Sequence, residues 1–189
     1  MDDEKNSVAD MALHDVTIEE VEAFIDELPN EYRFLAIFVY ATAAPPEAAV
    51  SLEVEAVTRL FAKLGNARAM QRLSNVPSHP DWELLLPVYI AGRRADLLKR
   101  KNIPPRDEPP QVYLDRAARP FTLEKVNGAF LRLSRKLNLP IPFSLETIAR
   151  VVATQSMLRL MAMPEHQPDF SLHYWSVCGR FEYERERHV

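Results

Sequence analysis

The chain has 189 residues, 47% apolar and 26% charged, with a net charge of −4, which fits a soluble globular domain large enough to bury a real core. It has no stretch of eighteen or more apolar residues, which excludes a spanning helix, and the acidic start Met1-Asp2-Asp3-Glu4-Lys5 lacks a signal-peptide pattern. A lone cysteine, Cys178, allows no internal disulfide, and the expected location is cytoplasmic.

Residues 1–15 read as a loose acidic leader. Thr17-Ile18-Glu19-Glu20 has the form of a capping box, followed by Ile18, Val21, Ile25 and Leu28 at helical spacing and ended by Pro29. A helix from Glu31 to about Ala43 is apolar on nearly every side, as expected in the middle of a domain, and Pro45-Pro46 stops it. Residues 53–79 are ambiguous: Val54, Val57, Leu60, Phe61 and Leu64 repeat like a helix, whereas Val57 to Phe61 also suits a strand turning at Gly65-Asn66. Asp81 to Lys101 is predicted helical, with Pro87 bending it or marking a late start. A proline-rich connector with one extended candidate, Gln111 to Leu114, follows.

Thr122 caps a helix with an apolar stripe of Leu123, Val126, Phe130, Leu133 and Leu137 and a basic face of Lys125, Arg132, Arg135 and Lys136. After Pro140 and Pro142, Ser144 caps the next helix, with Leu145, Ile148, Val151, Val152 and Leu158 predicted inward. A last helical stretch is expected from about Phe170.

Charge is unevenly spread. Residues 1–31 hold eleven acids and one base, leaving 22 bases against 16 acids in the rest; residues 93–136 alone hold twelve bases and five acids. An acidic head on a basic body fits a nucleic-acid partner, and a solvated helical face gives the same count. The five histidines, His14, His79, His166, His173 and His188, show no metal-ligand spacing, and four scattered glycines make no phosphate loop. No metal or cofactor is expected.

Three segments, in order, resemble the catalytic domain of tyrosine recombinases (phage integrases). The first runs from Val16-Thr17-Ile18-Glu19-Glu20 to Tyr40-Ala41-Thr42-Ala43-Ala44-Pro45-Pro46-Glu47-Ala48 and on to Leu52. It is similar to the family's Leu-Thr-x-Glu-Glu helix and the Tyr-Ala-Thr-Gly-Leu-Arg helix end. The second is Val112-Tyr113-Leu114 through Arg119-Pro120-Phe121-Thr122 to the basic helix. The third, Phe143-Ser144-Leu145-Glu146-Thr147-Ile148-Ala149-Arg150-Val151-Val152-Ala153-Thr154, resembles Ser-Pro-His-x-Leu-Arg-His-x-x-Ala-Thr. Order and spacing together carry the resemblance, which covers residues 16–178.

In that family a tyrosine hydroxyl attacks a DNA phosphodiester, and arginines, histidines and a lysine stabilise the charge that develops. The resemblance puts Pro45 at the first arginine, Glu146 at the first histidine and Ala149 at the second arginine. Arg150 stands at the following histidine and Met163 at or near the late one. Tyr174 in His173-Tyr174-Trp175 falls at the nucleophile after a short insertion, although beside Trp175 it also reads as a packed aromatic pair. Lys63, in Lys63-Leu64-Gly65, matches the family's Lys-x-Gly hairpin. Losing one preorganised donor typically costs on the order of 10²–10³ in rate. With both guanidinium positions gone and a carboxylate beside the phosphate, the resemblance implies an inactive relative.

The expected fold is therefore mainly α with a small β-sheet or hairpin around residues 57–77 and 111–114, an α+β domain like a tyrosine-recombinase catalytic domain, followed by a 179–189 tail. The separate N-terminal domain that completes the family's clamp on DNA is not expected in the short leader, so DNA contact through Lys125, Arg132, Arg135 and Lys136 should be weak and backbone-directed. The partners expected are DNA, an active recombinase, or a second copy joined through the tail Phe181–Arg187, with no membrane. The alternatives are an active strand-transfer enzyme with a rearranged site of Tyr174, Arg150 and Lys63, and a protein-interaction domain with no DNA role.

Overall fold

The computed structural model describes residues 16–76 and 82–161, except for the side chains of residues 160 and 161. Helix α1 (Ile18–Glu27) begins at the capping box: Thr17 Oγ1 accepts the Glu20 N–H at 3.2 Å, and Glu20 Oε2 accepts the Thr17 N–H at 2.9 Å. It buries Val21, Phe24 and Ile25. Pro29 N-caps α2 (Asn30–Thr42), whose Tyr32, Leu35, Ala36, Phe38 and Val39 are buried, so this is the interior helix its composition predicts. Ala43 ends it in the left-handed region at φ 49°. The buried Thr42 hydroxyl serves both sides of that end, donating to the Phe38 carbonyl at 2.6 Å and accepting the Ala44 N–H at 3.2 Å. Pro46 opens the short α3 (Pro46–Ser51), where its missing N–H costs nothing.

Over the described part of the ambiguous stretch, residues 53–76, helix prevails from Val54 to Leu73 apart from the corner at Gly65. Helices α4 (Val54–Leu64) and α5 (Asn66–Leu73) meet at Gly65, whose φ of 74° makes the corner. Among the described residues 57–76 the expected hairpin is not formed, because the apolar side chains Val54, Val57, Phe61 and Leu73 meet the core along helical stripes. At 111–114 there is no strand, only isolated antiparallel bridges from Glu53 to Gln111 and from Leu114 to Pro120. Pro109 and Pro110 just before Gln111, and Pro120 opposite Leu114, have no N–H with which to extend either bridge into a ladder.

Three segments continue one another without leaving right-handed helical angles: α6 (Leu85–Val88), a π-helical segment (Tyr89–Arg94) and α7 (Ala95–Arg100). Pro87 marks a late start rather than a bend, since it falls in the first turn. A proline-rich connector leads to α8 (Leu123–Lys136), N-capped by Thr122 Oγ1 on the Lys125 N–H at 3.3 Å. Helix α9 (Leu145–Met161) is capped by Ser144 Oγ, which accepts the Thr147 N–H at 3.1 Å.

The core is organised around α9 lying on α2, with α1 and α3 against α9 and α8 against α3. Leu145, Ile148, Ala149, Val151, Val152 and Ala153 of α9 are all buried. Leu158 is instead 52% exposed: the burying surface runs out in the last turns of α9 that are described. Phe24 locks α1 to α8 and to the start of α9, with ring centroids 5.4 Å from Phe130 and 4.7 Å from Phe143. Ser134 joins the same elements through its buried hydroxyl, which donates to the Phe130 carbonyl and accepts the Phe143 N–H, both at 2.9 Å. Among the described residues no helix is long and apolar enough to cross a membrane.

Candidate functional site

Helix α9 carries the segment that resembles the recombinase signature. Glu146 and Arg150, one turn apart, pair with each other, Arg150 Nε to Glu146 Oε1 at 2.7 Å, with both side chains about half exposed. Their charges therefore offset one another. Ala149, between them in sequence, is fully buried and offers no donor. Pro45 is the half-buried residue that N-caps α3. Lys63 is exposed in the last turn of α4, where its charge suits the negative end of the helix dipole. The Lys63-Leu64-Gly65 stretch is thus a helix end and not a hairpin, Gly65 N–H closing on the Phe61 carbonyl at 2.9 Å. Tyr174 and Met163 lie outside the described residues, as do Cys178 and the tail.

The basic face of α8 divides in two. Arg132, Arg135 and Lys136 are exposed, and no carboxylate of the described residues lies within 4.0 Å of them. Lys125 is committed elsewhere: its ammonium is hydrogen-bonded to Asp115, which is 3% exposed. Asp115 organises the turn before α8. Its Oδ1 accepts the N–H groups of Ala117 at 2.7 Å and Arg119 at 2.9 Å, and its own N–H donates to the Arg119 carbonyl at 2.8 Å. Burial alone would raise the Asp115 pKa, but the Lys125 ammonium and those two N–H groups outweigh it and hold the carboxyl below its ordinary 3.8. The turn leaves Arg116 and Arg119 on the outside, each with its side chain 76% exposed.

That turn also forms one wall of a cleft of about 450 Å³. The facing wall is the π-helical segment and α7, which contribute Arg93, Arg100 and Lys101, while the start of α2 contributes Glu31. Arg93 holds its guanidinium 5.1 Å from the Phe34 ring centroid. The neighbouring Arg94 points inward and is buried, with Nε donating to the Gln111 carbonyl at 3.1 Å and Nη1 to Glu108 Oε2 at 3.1 Å. Its Nη2 donates to the Pro109 carbonyl at 2.5 Å. Tyr89 lines the cleft, and burial raises its pKa against the lowering effect of the Leu114 backbone.

The cations of this cleft were absent from the expected site residues. The signal was the surplus of bases over residues 93–136, together with Arg93 and Arg100 standing seven residues apart, two helical turns on one face. Among the described residues no cluster of His, Cys, Asp or Glu is arranged to hold a metal ion. Comparison of the chain with protein-family models, with curated proteins and with solved structures gives no match.

Proposed function

We propose that this chain binds the DNA backbone without cutting it, as an accessory factor built on the tyrosine-recombinase catalytic plan and working beside an active recombinase. The observation that carries the binding half is the exposed face of α8, where Arg132, Arg135 and Lys136 have no carboxylate partner among the described residues. Arg132 and Lys136 are one turn apart, about 6 Å along the helix axis, which suits neighbouring phosphates of one strand. Arg119, exposed on the turn that Lys125 anchors to the start of α8, adds to that face. Contacts of this type go to phosphates, so the affinity is salt-sensitive and carries little sequence information.

Support for the inactive half comes from α9. At the positions where the family carries its donors stand Pro45 and the buried Ala149, which have no side-chain donor, and a Glu146 carboxylate already paired with Arg150. The Arg150 guanidinium is taken up by that carboxylate, so these positions add no net positive charge to offset a five-coordinate phosphorus. The test is incubation with duplex and with nicked suicide substrates at low salt. Retained duplex with no covalent adduct, and loss of retention in R132E/R135E/K136E, is the expected result. An adduct that disappears in Tyr174→Phe would show an active enzyme with a rearranged site. No retention by the wild-type chain would leave a protein-interaction domain.

A further inference from the structure

The cleft between α7 and the 114–116 turn stands apart from the α8 face, and its electrostatics ask for a ligand of their own. Two acids line it, and both are satisfied inside the fold. Glu31 is held by Arg116, Nε to Oε1 at 3.3 Å, and also accepts the Arg116 N–H at 3.1 Å. Asp115 is held by Lys125 and by the N–H groups of its own turn. What remains are Arg93, Arg100 and Lys101, which have no carboxylate within 4.0 Å among the described residues. Arg93 is restrained over Phe34, and Arg100 is steadied by its Nε bond to the Asp96 carbonyl at 3.3 Å, so both guanidinium groups are partly preorganised.

We propose that this cleft is a binding site for a phosphate monoester. With four bases and two acids in its lining, it carries a net charge of +2, which complements a dianion better than the single charge of a carboxylate or a phosphodiester. Guanidinium forks and an ammonium are the donors that planar and tetrahedral oxyanions take. A volume of about 450 Å³ exceeds what a bare phosphate fills, and the Tyr89 ring with Leu97 and Leu114 gives the rest of the ligand an apolar floor. The phosphate can belong to a free nucleotide or to the 5′ end of a nucleic-acid strand, since the chemistry recognised is the same.

Calorimetric titration at low salt with inorganic phosphate, adenosine 5′-monophosphate, and an oligonucleotide with or without a 5′-phosphate tests the site and separates its sources. Binding of at least one phosphorylated probe is expected, weakened about tenfold or more in R100E/K101E, the loss of at least one charge-assisted hydrogen bond. The same binding should persist in R132E/K136E, whose substitutions lie on α8. A neutral R100Q/K101Q variant repeats the test should charge reversal perturb the fold, and wild-type far-UV dichroism shows that it does not. A free nucleotide is the source if the monophosphate binds and the 5′-phosphate adds nothing to the oligonucleotide; a strand end is the source if it does. Equal binding by wild type and both α7 variants, equal binding of dimethyl phosphate, or no binding of any phosphorylated probe overturns the proposal.

Discussion

Replacing Arg94 with leucine tests how the π-helical segment is locked to the proline-rich connector. The side chain is 5% exposed and spends three N–H groups on the Gln111 and Pro109 carbonyls and on Glu108. In Arg94→Leu the two carbonyls lose a charged donor, at about 1–3 kcal/mol each. Glu108, with its side chain 34% exposed, returns to water at little cost. Leucine regains some apolar burial, leaving a net destabilisation of about 2–5 kcal/mol. For a chain of this size that lowers the melting temperature by about 4–20 °C. Chemical denaturation followed by circular dichroism measures it, and Arg94→Lys, which can satisfy only one acceptor well, should fall between leucine and wild type. The connector also loses its tether, so trypsin should cut at the exposed Arg106 sooner than in wild type. An Arg94→Leu variant within about 0.5 kcal/mol of wild type, the range of ordinary surface changes, would refute the clamp.

Ser134→Ala leaves the Phe143 N–H buried without an acceptor and should cost about 1–3 kcal/mol in equilibrium unfolding, whereas an effect no larger than that of Ser51→Ala, on the surface of α3, would mean the bond contributes nothing. Asp115→Asn removes the ion pair with Lys125 while keeping the size of the side chain. The folded pKa of Asp115 lies below its ordinary 3.8, so its contribution is present above that pH and is lost as the pH falls through the folded value. Wild type should therefore be more stable than Asp115→Asn at pH 7, and the gap should close below about pH 4; a gap unchanged between pH 7 and pH 3 would contradict the assignment.

The helix boundaries were legible because local chemistry sets them. Thr17, Thr122 and Ser144 cap helices through their own side-chain oxygens, and Pro29, Pro45 and Pro87 act at the ends or first turns where the ring is tolerated. The stretch from Val54 to Leu64 carried both a helical spacing and a β-compatible run from Val57 to Phe61, and the resemblance favoured the hairpin that packing against the core overrides. Other features depend on information that sequence periodicity does not carry. An arginine such as Arg94 reads as solvent-facing until the π-helical segment turns it toward the 108–111 backbone. Lys125 looked like one more member of a basic face, and only the fold brings a buried Asp115 to it. The cleft draws on the start of α2, on α7 and on the 114–116 turn, segments distant in the chain. Leu158 fits the stripe of α9 but has no neighbouring element to cover it among the described residues.

The central claim, a backbone-type DNA contact through α8, is tested most directly by the slope of log K against log salt for one duplex. If Arg132, Arg135 and Lys136 each neutralise one phosphate, they contribute about −2.7 to that slope, so raising salt from about 50 to 200 mM weakens binding by about 40-fold from these residues alone. Fluorescence anisotropy should show R132E/R135E/K136E binding more weakly and with a slope flatter by about that amount. An identical slope and affinity in wild type and the triple variant would contradict the account.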